Sequence, residues 1–293
     1  MLNTELILNS NGSIYHLGLQ PEDIAEKIIF VGDPDRVGEV TQHFDTVEFT
    51  CHRREFHTQT GYLQGQRITV LSTGIGTDNI DIVLNELDAL VNIDFGTRSL
   101  KNAATSLKIL RLGTCGGLQA EAPVGTIVHS QWAVGLDGLL QYYVYDKNEA
   151  ILSAEKALAD FLSTYENTYF GEPFMAACSP TFSALLAAEK AVLQGITLTA
   201  KGFYGPQGRS LGRTTLRNPQ LLDILSAFSY ENVQVTNLEM ETSGILGLGE
   251  ILGHECASLS VILANRPLGL FSADPAKAVG NLIEKGLELM LKW

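Results

Sequence analysis

Near the C-terminal end the sequence reads NVQVTNLEMETSGILGLGEIL, with Glu239-Met240-Glu241 at its centre. Two carboxylates two residues apart point to one face of an extended chain. Like charges that close repel, so holding both calls for a shared partner. Arginines in suggestive settings are spread along the chain. In IIFVGDPDRVGEV an apolar run ends at Gly32-Asp33-Pro34, and Arg36 follows. A strand ending in a glycine turn before a helix presents backbone N–H groups suited to an anion, and Arg36 adds a guanidinium fork. The plainer reading is a turn, since Gly-Asp-Pro is strong turn chemistry by itself. In LKILRLGTCGGLQ, Arg111 sits unusually in the last turn of an apolar strand, beside Thr114 and several glycines. Close strand–helix packing with Arg111 snorkelling outward explains that stretch equally well.

Other stretches carry less. STGIGTDN starts like a dinucleotide fingerprint, but Asn79 holds the third glycine position, so a packing turn is the better reading. In CHRREFHTQTG only one of Arg53 and Arg54 can face inward on a strand, and a solvated edge is the simpler account. GRSLG at 208–212 fits the nucleophile-elbow pattern around Ser210, yet lacks the strand before it and the helix after it. His52 with His57, or His254 with Cys256, lacks zinc spacing. No metal is expected between Glu239 and Glu241 either.

The elements that must position these residues alternate. KIIFVG, RITVLSTG, LKILRLGT, GTIVHSQWAVG, MAACS, GITLTAKGFY, VQVTNLEM and SLSVILANR read as strands. DNIDIVLNELDALV reads as a helix, with Ile80, Val83, Leu84, Leu87 and Val91 at helical spacing. PTFSALLAAEKAVLQ, NPQLLDILSAFS (capped by Asn218, with Pro219 at its first position), TSGILGLGEILGH and DPAKAVGNLIEKGLELMLKW read as helices. DFGTRSLKNAATS and LDGLLQYYVYDKNEA look like excursions from the core layer. The expectation is an α/β fold, one domain over 1–293, with a parallel or mixed sheet. Ligands then bind beyond the carboxyl ends of the strands.

The chain has 293 residues, 45% hydrophobic and 18% charged, with net charge −13. Such acidity disfavours nucleic acid and anionic lipid as main partners. A small anionic substrate would need a local arginine cluster. Cys51, Cys115, Cys178 and Cys256 form no C-x-x-C pair, which reads as free thiols in a reducing compartment. No signal peptide or membrane span is legible, so a cytoplasmic protein is expected.

The motifs IYHLGL, FVGDPDRV, RREF, STGIGTDN, RLGTCGG, FYGPQGR, NLEMET and ILANR occur in this order from about Tyr15 to Arg266. The ordered set resembles the uridine phosphorylase branch of the nucleoside phosphorylase family. The resemblance implies a single α/β domain with a central mixed sheet flanked by helices. It implies phosphorolysis of a nucleoside, reversibly, through an oxocarbenium-like transition state, as in pyrimidine salvage. By matched position, Glu241 accepts from the ribose hydroxyls, with Met240 packed on the sugar and Glu239 alongside. Gly32, Arg36, Arg111 and Thr114 hold phosphate, Thr114 also reaching the ribose. Arg54 completes that site from a neighbouring subunit, and His16 of that neighbour meets the 5′-hydroxyl. Phe203 packs on the base while Gln207 and Arg209 bind its edge, with Arg266 nearby. The purine branch places an Asp where this chain has Arg266, which favours a pyrimidine. Arg209, Gln207, Arg111 and Glu241 carry the catalysis. No cofactor is implied beyond phosphate as co-substrate. Some relatives bind potassium between subunits, and here Glu55 and Ile75 match while Asn79 replaces a Ser. The shared site implies at least a homodimer, with a hexamer as the larger family form. A purine phosphorylase, a nucleosidase of the same fold and a non-catalytic nucleoside sensor are the competing readings.

Overall fold

The computed structural model describes residues 1–165, 168–187 and 189–293. The first half of the chain runs β1 (Lys27–Val31), α1 (Pro34–Thr41), β2 (Thr46–Arg53), β3 (Phe56–Leu63), β4 (Gln66–Ser72), α2 (Thr77–Asn92), β5 (Ile93–Asp94), β6 (Ser99–Leu100), β7 (Lys108–Gly117) and β8 (Ile127–Gly135). The second half runs α3 (Glu149–Ser163), β9 (Phe174–Ala177), α4 (Pro180–Leu186), β10 (Leu193–Thr199), α5 (Leu221–Ser226), β11 (Ser229–Tyr230), β12 (Val233–Glu239), α6 (Thr242–Ile251), β13 (Glu255–Asn265), β14 (Leu270–Phe271) and α7 (Pro275–Lys292). Helices flank a mixed central sheet, as expected.

Among the described residues the main sheet has strand order β11-β12-β10-β8-β13-β7-β1-β4-β3-β2. β7 is the hinge of this layer. It runs parallel to β1 on one side and to β13 on the other. Its C-terminal end also pairs antiparallel with β12, Gly117 opposite Asn237 and Gly116 opposite Leu238. With the pairings β12–β10, β10–β8 and β8–β13, five strands close on themselves. The closure needs a bare backbone: a Cβ on Gly117 would lie 3.0 Å from the Ile262 side chain, and one on Gly116 3.2 Å from Leu238. Gly116 and Gly117, beyond the strand LKILRLGT read above, therefore belong to the strand, where they let a second neighbour approach.

Apolar residues of α2 and α6 fill one layer against the sheet, those of α1, α4 and α7 another, and α3 and α5 cover the β8–β10–β12 side. Local capping explains the helix starts. Asp33 accepts from Asp35 N with Pro34 next, and Asp274 accepts from Lys277 N with Pro275 next.

Three expectations change. The helix predicted over Pro180–Gln194 ends at Leu186. Leu193 and Gln194 pair instead with Val128 and His129 of β8, so sheet pairing overrides helical spacing there; Ala188 lies outside the described residues. The helix predicted from Asn218 starts at Leu221 without a side-chain cap, because Asn218 O accepts from Leu221 N in a preceding turn. Helix α3 was not read at all. It starts inside the second excursion, where Asn148 accepts from Ile151 N. Before that point Tyr143 and Tyr145 pin the excursion to Asn85 and Glu250. The first excursion, DFGTRSLKNAATS, contains the β5–β6 hairpin. Among the described residues no helix is long and apolar enough to cross a membrane.

Candidate active site

The carboxyl ends of β1, β4, β7 and β12 open on a cleft of about 970 Å³. Its wall includes Gly32, Arg36, Arg111, Thr114, Glu239 and Glu241. Phe203, Gln207, Arg209 and Met240 line it as well. Ten of the thirteen site residues read from sequence thus meet in one cavity.

The twin acids share Arg111. Its Nη2 donates to Glu241 Oε2 at 2.7 Å and lies 3.0 Å from Glu239 Oε2, while Nη1 donates to Ser260 Oγ at 2.9 Å. Arg111 stands mid-strand on β7 and is only 5% exposed, so it turns inward rather than snorkelling. A guanidinium so deep in a sheet needs compensating charge, and the Glu-Met-Glu stretch supplies two carboxylates. Burial alone would lower the Arg111 pKa, but Glu239 and Glu241 outweigh it and the net is upward. One cation facing two acids leaves an acid undercompensated. That acid is Glu241, pushed up by burial first and by Glu239, with Arg111 pulling the other way.

The two acids have different surroundings. Glu239 ends β12 and collects Glu241 N, Thr242 N and Thr199 Oγ1 as donors. Its carboxylate thus caps the first turn of α6, at the positive end of the helix. Glu241 Oε1 accepts from Gly76 N at 2.8 Å, and its remaining acceptor capacity faces the cleft.

Arg36, on the first turn of α1, lines the opposite wall, and its buried Nε has no partner among the described residues. Burial foremost, and then the nearby positive charge of Arg111, lower the Arg36 pKa, with Asp33 opposing. Two guanidiniums facing one cavity, one with an idle donor, suit an anion.

The loop after β10 supplies the third wall. Gln207 lies in the short turn Gly205–Gln207 and is buried. Arg209 Nη1 donates to Phe203 O at 2.7 Å and to Gln207 Oε1, and its guanidinium stacks 4.1 Å from the Phe203 ring centroid. Arg266 does not line the cleft. It donates to Gln207 O at 2.6 Å and grips this loop from behind.

Two residues stand apart from the cavity of their own chain. Arg54 is exposed at the β2–β3 turn with φ of 56°, whereas Arg53 is tied to Asn9 Oδ1 and lies near the Tyr15 ring. His16 lies near Glu86, Nδ1 to Oε1 at 2.7 Å. Sequence reading missed Gly76, Ser260 and Thr199. Gly76 acts through a backbone N–H, which no residue type announces. The two hydroxyls are ordinary strand residues until the tertiary fold sets them beside charges. The turn at Gly74-Ile75-Gly76, read as packing, borders the cleft.

The sequence profile described as the phosphorylase superfamily matches residues 26–285. The chain is 26% identical over 291 residues to the uridine phosphorylase of Thermococcus kodakarensis, covering 96% of this chain and 88% of that one. It is 28% identical over 257 residues to the uridine phosphorylase of Haemophilus influenzae, covering 86% of each. A Trypanosoma brucei nucleoside phosphorylase, described as showing uridine phosphorylase activity, superposes with TM-score 0.86 at 29% identity over 98% of this chain and 100% of that one. A purine nucleoside phosphorylase of Toxoplasma gondii shares the fold at TM-score 0.66 and 22% identity, over 95% of this chain and 97% of that one.

Proposed function

The chain belongs to the phosphorylase superfamily, and on that premise we propose that it cleaves uridine with inorganic phosphate, reversibly, giving uracil and ribose 1-phosphate. The observation that carries this reading is the convergence of Arg36, Arg111, Glu241 and the Gln207–Arg209 pair on one cleft. Phosphate sits between the Gly32 turn, Thr114 and the two guanidiniums, whose N–H donors hold an anion in a chain of net charge −13. Each charge-assisted bond contributes about 1.5–3 kcal/mol.

Glu241 accepts from the ribose diol. Two of its lone-pair directions are taken by Arg111 and Gly76, which leaves room for two hydroxyl donors. Met240 packs on the sugar. As the glycosidic bond stretches, C1′ gains oxocarbenium character, and the phosphate oxygens stabilise it and then attack from the opposite face. Negative charge grows on the departing uracil. Gln207 and Arg209, already set by their mutual bond and by the grip of Arg266 on the loop, stabilise that charge without reorganising. The uracil edge offers two carbonyls and one N–H, and an amide with a guanidinium matches it.

Arg54 and His16 act from a second copy of the chain, Arg54 on phosphate and His16 on the 5′-hydroxyl. Neither lines the cleft of its own chain, which supports this assignment, and at least a homodimer follows from it. No step is routed through a cation. The Asn79 amide already points at the Ile75 carbonyl, at 3.5 Å, which is the oxygen such an ion would use.

The decisive experiment measures uracil release from uridine with and without phosphate, beside thymidine, deoxyuridine and inosine. Phosphate-dependent release from uridine is expected. Equal rates in both conditions would mean hydrolysis, binding without turnover would mean a sensor, and preference for inosine would mean a purine enzyme.

A further inference from the structure

Thr199 is the last residue of β10 and is completely buried. It pairs in register with Glu239 on β12 and does not itself line the cleft. Ser243 N donates to Thr199 Oγ1 at 2.9 Å, which occupies a lone pair. The only hydroxyl proton then goes to Glu239 Oε1 at 2.8 Å. The direction of that bond is therefore fixed by the backbone of α6.

Donor arithmetic separates the two acids. Glu239 receives Thr199 Oγ1 and Thr242 N on Oε1, and Glu241 N and Thr242 N on Oε2, with Arg111 Nη2 a further 3.0 Å ion-pair contact, so its roughly four lone-pair sites are filled. It has nothing left for a sugar hydroxyl, whereas Glu241 does. Glu239 is thus a brace: it fixes Arg111 from one side and the backbone of Glu241 from the other. Thr199 supplies the one neutral side-chain donor that keeps this brace turned. The same strand end also begins the base loop, since Ala200 N donates to Glu239 O at 2.8 Å. The charged and titratable groups around the brace are Arg111 and Cys115 from β7 and Glu241 at the head of α6. Asp137, just after β8, holds Ser243 Oγ at 2.7 Å.

We propose that Thr199 is a positioning residue for the reaction, acting through Glu239 to set Arg111 and Glu241, and that Glu239 is no ribose ligand. This rests on the phosphorolysis reading above. Thr199→Val keeps the shape and removes the proton. It should lower kcat/KM for uridine roughly 10- to 100-fold, the range expected for losing a hydrogen bond to a charged group. Without that donor Glu239 holds Arg111 less firmly against Glu241, so the acid limb of the pH–rate profile, which Glu241 sets, should move up. Thr199→Ser restores the hydroxyl and should recover both. Thr199→Ala serves for the same comparison if the valine variant does not fold. An unmoved acid limb with near-normal kcat/KM in the Val or Ala variant would overturn the proposal, as would a Ser variant as impaired as Val. Wild-type protein that fails to cleave uridine with phosphate would overturn the underlying reading instead, and that control comes first.

Discussion

The guanidinium of Arg111 lies directly over Gly113, two residues on along the same face of β7. A Cβ at Gly113 would fall 2.0 Å from Arg111 Nη1. The glycine is therefore the floor on which the buried cation rests. Gly113→Ala must push the guanidinium off Glu239 and Glu241. We expect kcat/KM to fall by about 100-fold or more, on the scale of losing a preorganised electrostatic group. Because the displaced cation leaves two buried carboxylates without their partner, the melting temperature should fall as well. Steady-state kinetics and a thermal melt on the same preparation check both parts.

Removing groups from opposite walls should separate binding from chemistry. Arg209→Ala takes away a donor that faces the departing base, and turnover should drop about 10²–10³-fold. Arg36→Ala removes the guanidinium with the idle Nε. Its main effect should be a higher KM for phosphate, with a smaller loss in turnover. Initial rates over a matrix of uridine and phosphate concentrations distinguish the two patterns, and near-normal turnover in Arg209→Ala would reject its role.

The position of Arg54, exposed and outside the cleft of its own chain, leads to a mixing test. Arg54→Ala and Arg209→Ala should each be nearly inactive alone. Refolded together, they form hybrids in which one site draws Arg209 from one chain and Arg54 from the other. Partial recovery of activity is expected on mixing; none at all would mean that Arg54 serves the site of its own chain.

His129 gives a pH prediction independent of catalysis. Buried on β8, it lies 2.6 Å from Gln194 Oε1 through Nδ1, and its Nε2 faces the Cys178 thiol at 3.1 Å. Burial pushes its pKa down from 6.5 to about 4, against a smaller upward pull from Gln194. The unfolded chain therefore takes up a proton below pH 6.5 that the folded chain refuses until about pH 4. Stability is full above 6.5 and lost as pH falls toward 4, by about 3 kcal/mol from this group. His254, also lowered by burial, adds loss of the same sign. Denaturant melts from pH 7 to 4 should show this slope, and His129→Gln should flatten it by one proton.

Glu241 titrates the other way. Its raised pKa means the folded protein holds that proton more tightly than the unfolded chain does. Its contribution to stability is present below the ordinary carboxylate value and fades as pH rises through the folded value. Activity needs the ionised form to accept from the sugar, so the acid limb of the pH–rate profile should lie above the ordinary carboxylate range. In Arg111→Lys, which keeps the charge but not the fork, that limb should move higher still.

Local chemistry was legible along the chain. Asp33-Pro34 and Asp274-Pro275 announce helix starts, the apolar runs before Gly32 and through Arg111 announce strands, and alternation announces the layer. The ordered motifs singled out most residues of the cleft before any contact was seen. Contacts between distant segments were not legible. That Arg111 answers the repulsion between Glu239 and Glu241 depends on β7 and β12 meeting at Gly116 and Gly117, and pairing of strands 120 residues apart leaves no local signature. The fate of Leu193 and Gln194 was decided the same way, by a neighbouring strand against their helical spacing. Residue types set which charges had to find partners, because a buried charge cannot stay bare. Which partner each one found, and which of two neighbouring acids kept free acceptor directions, was decided only when the closing sheet fixed their geometry.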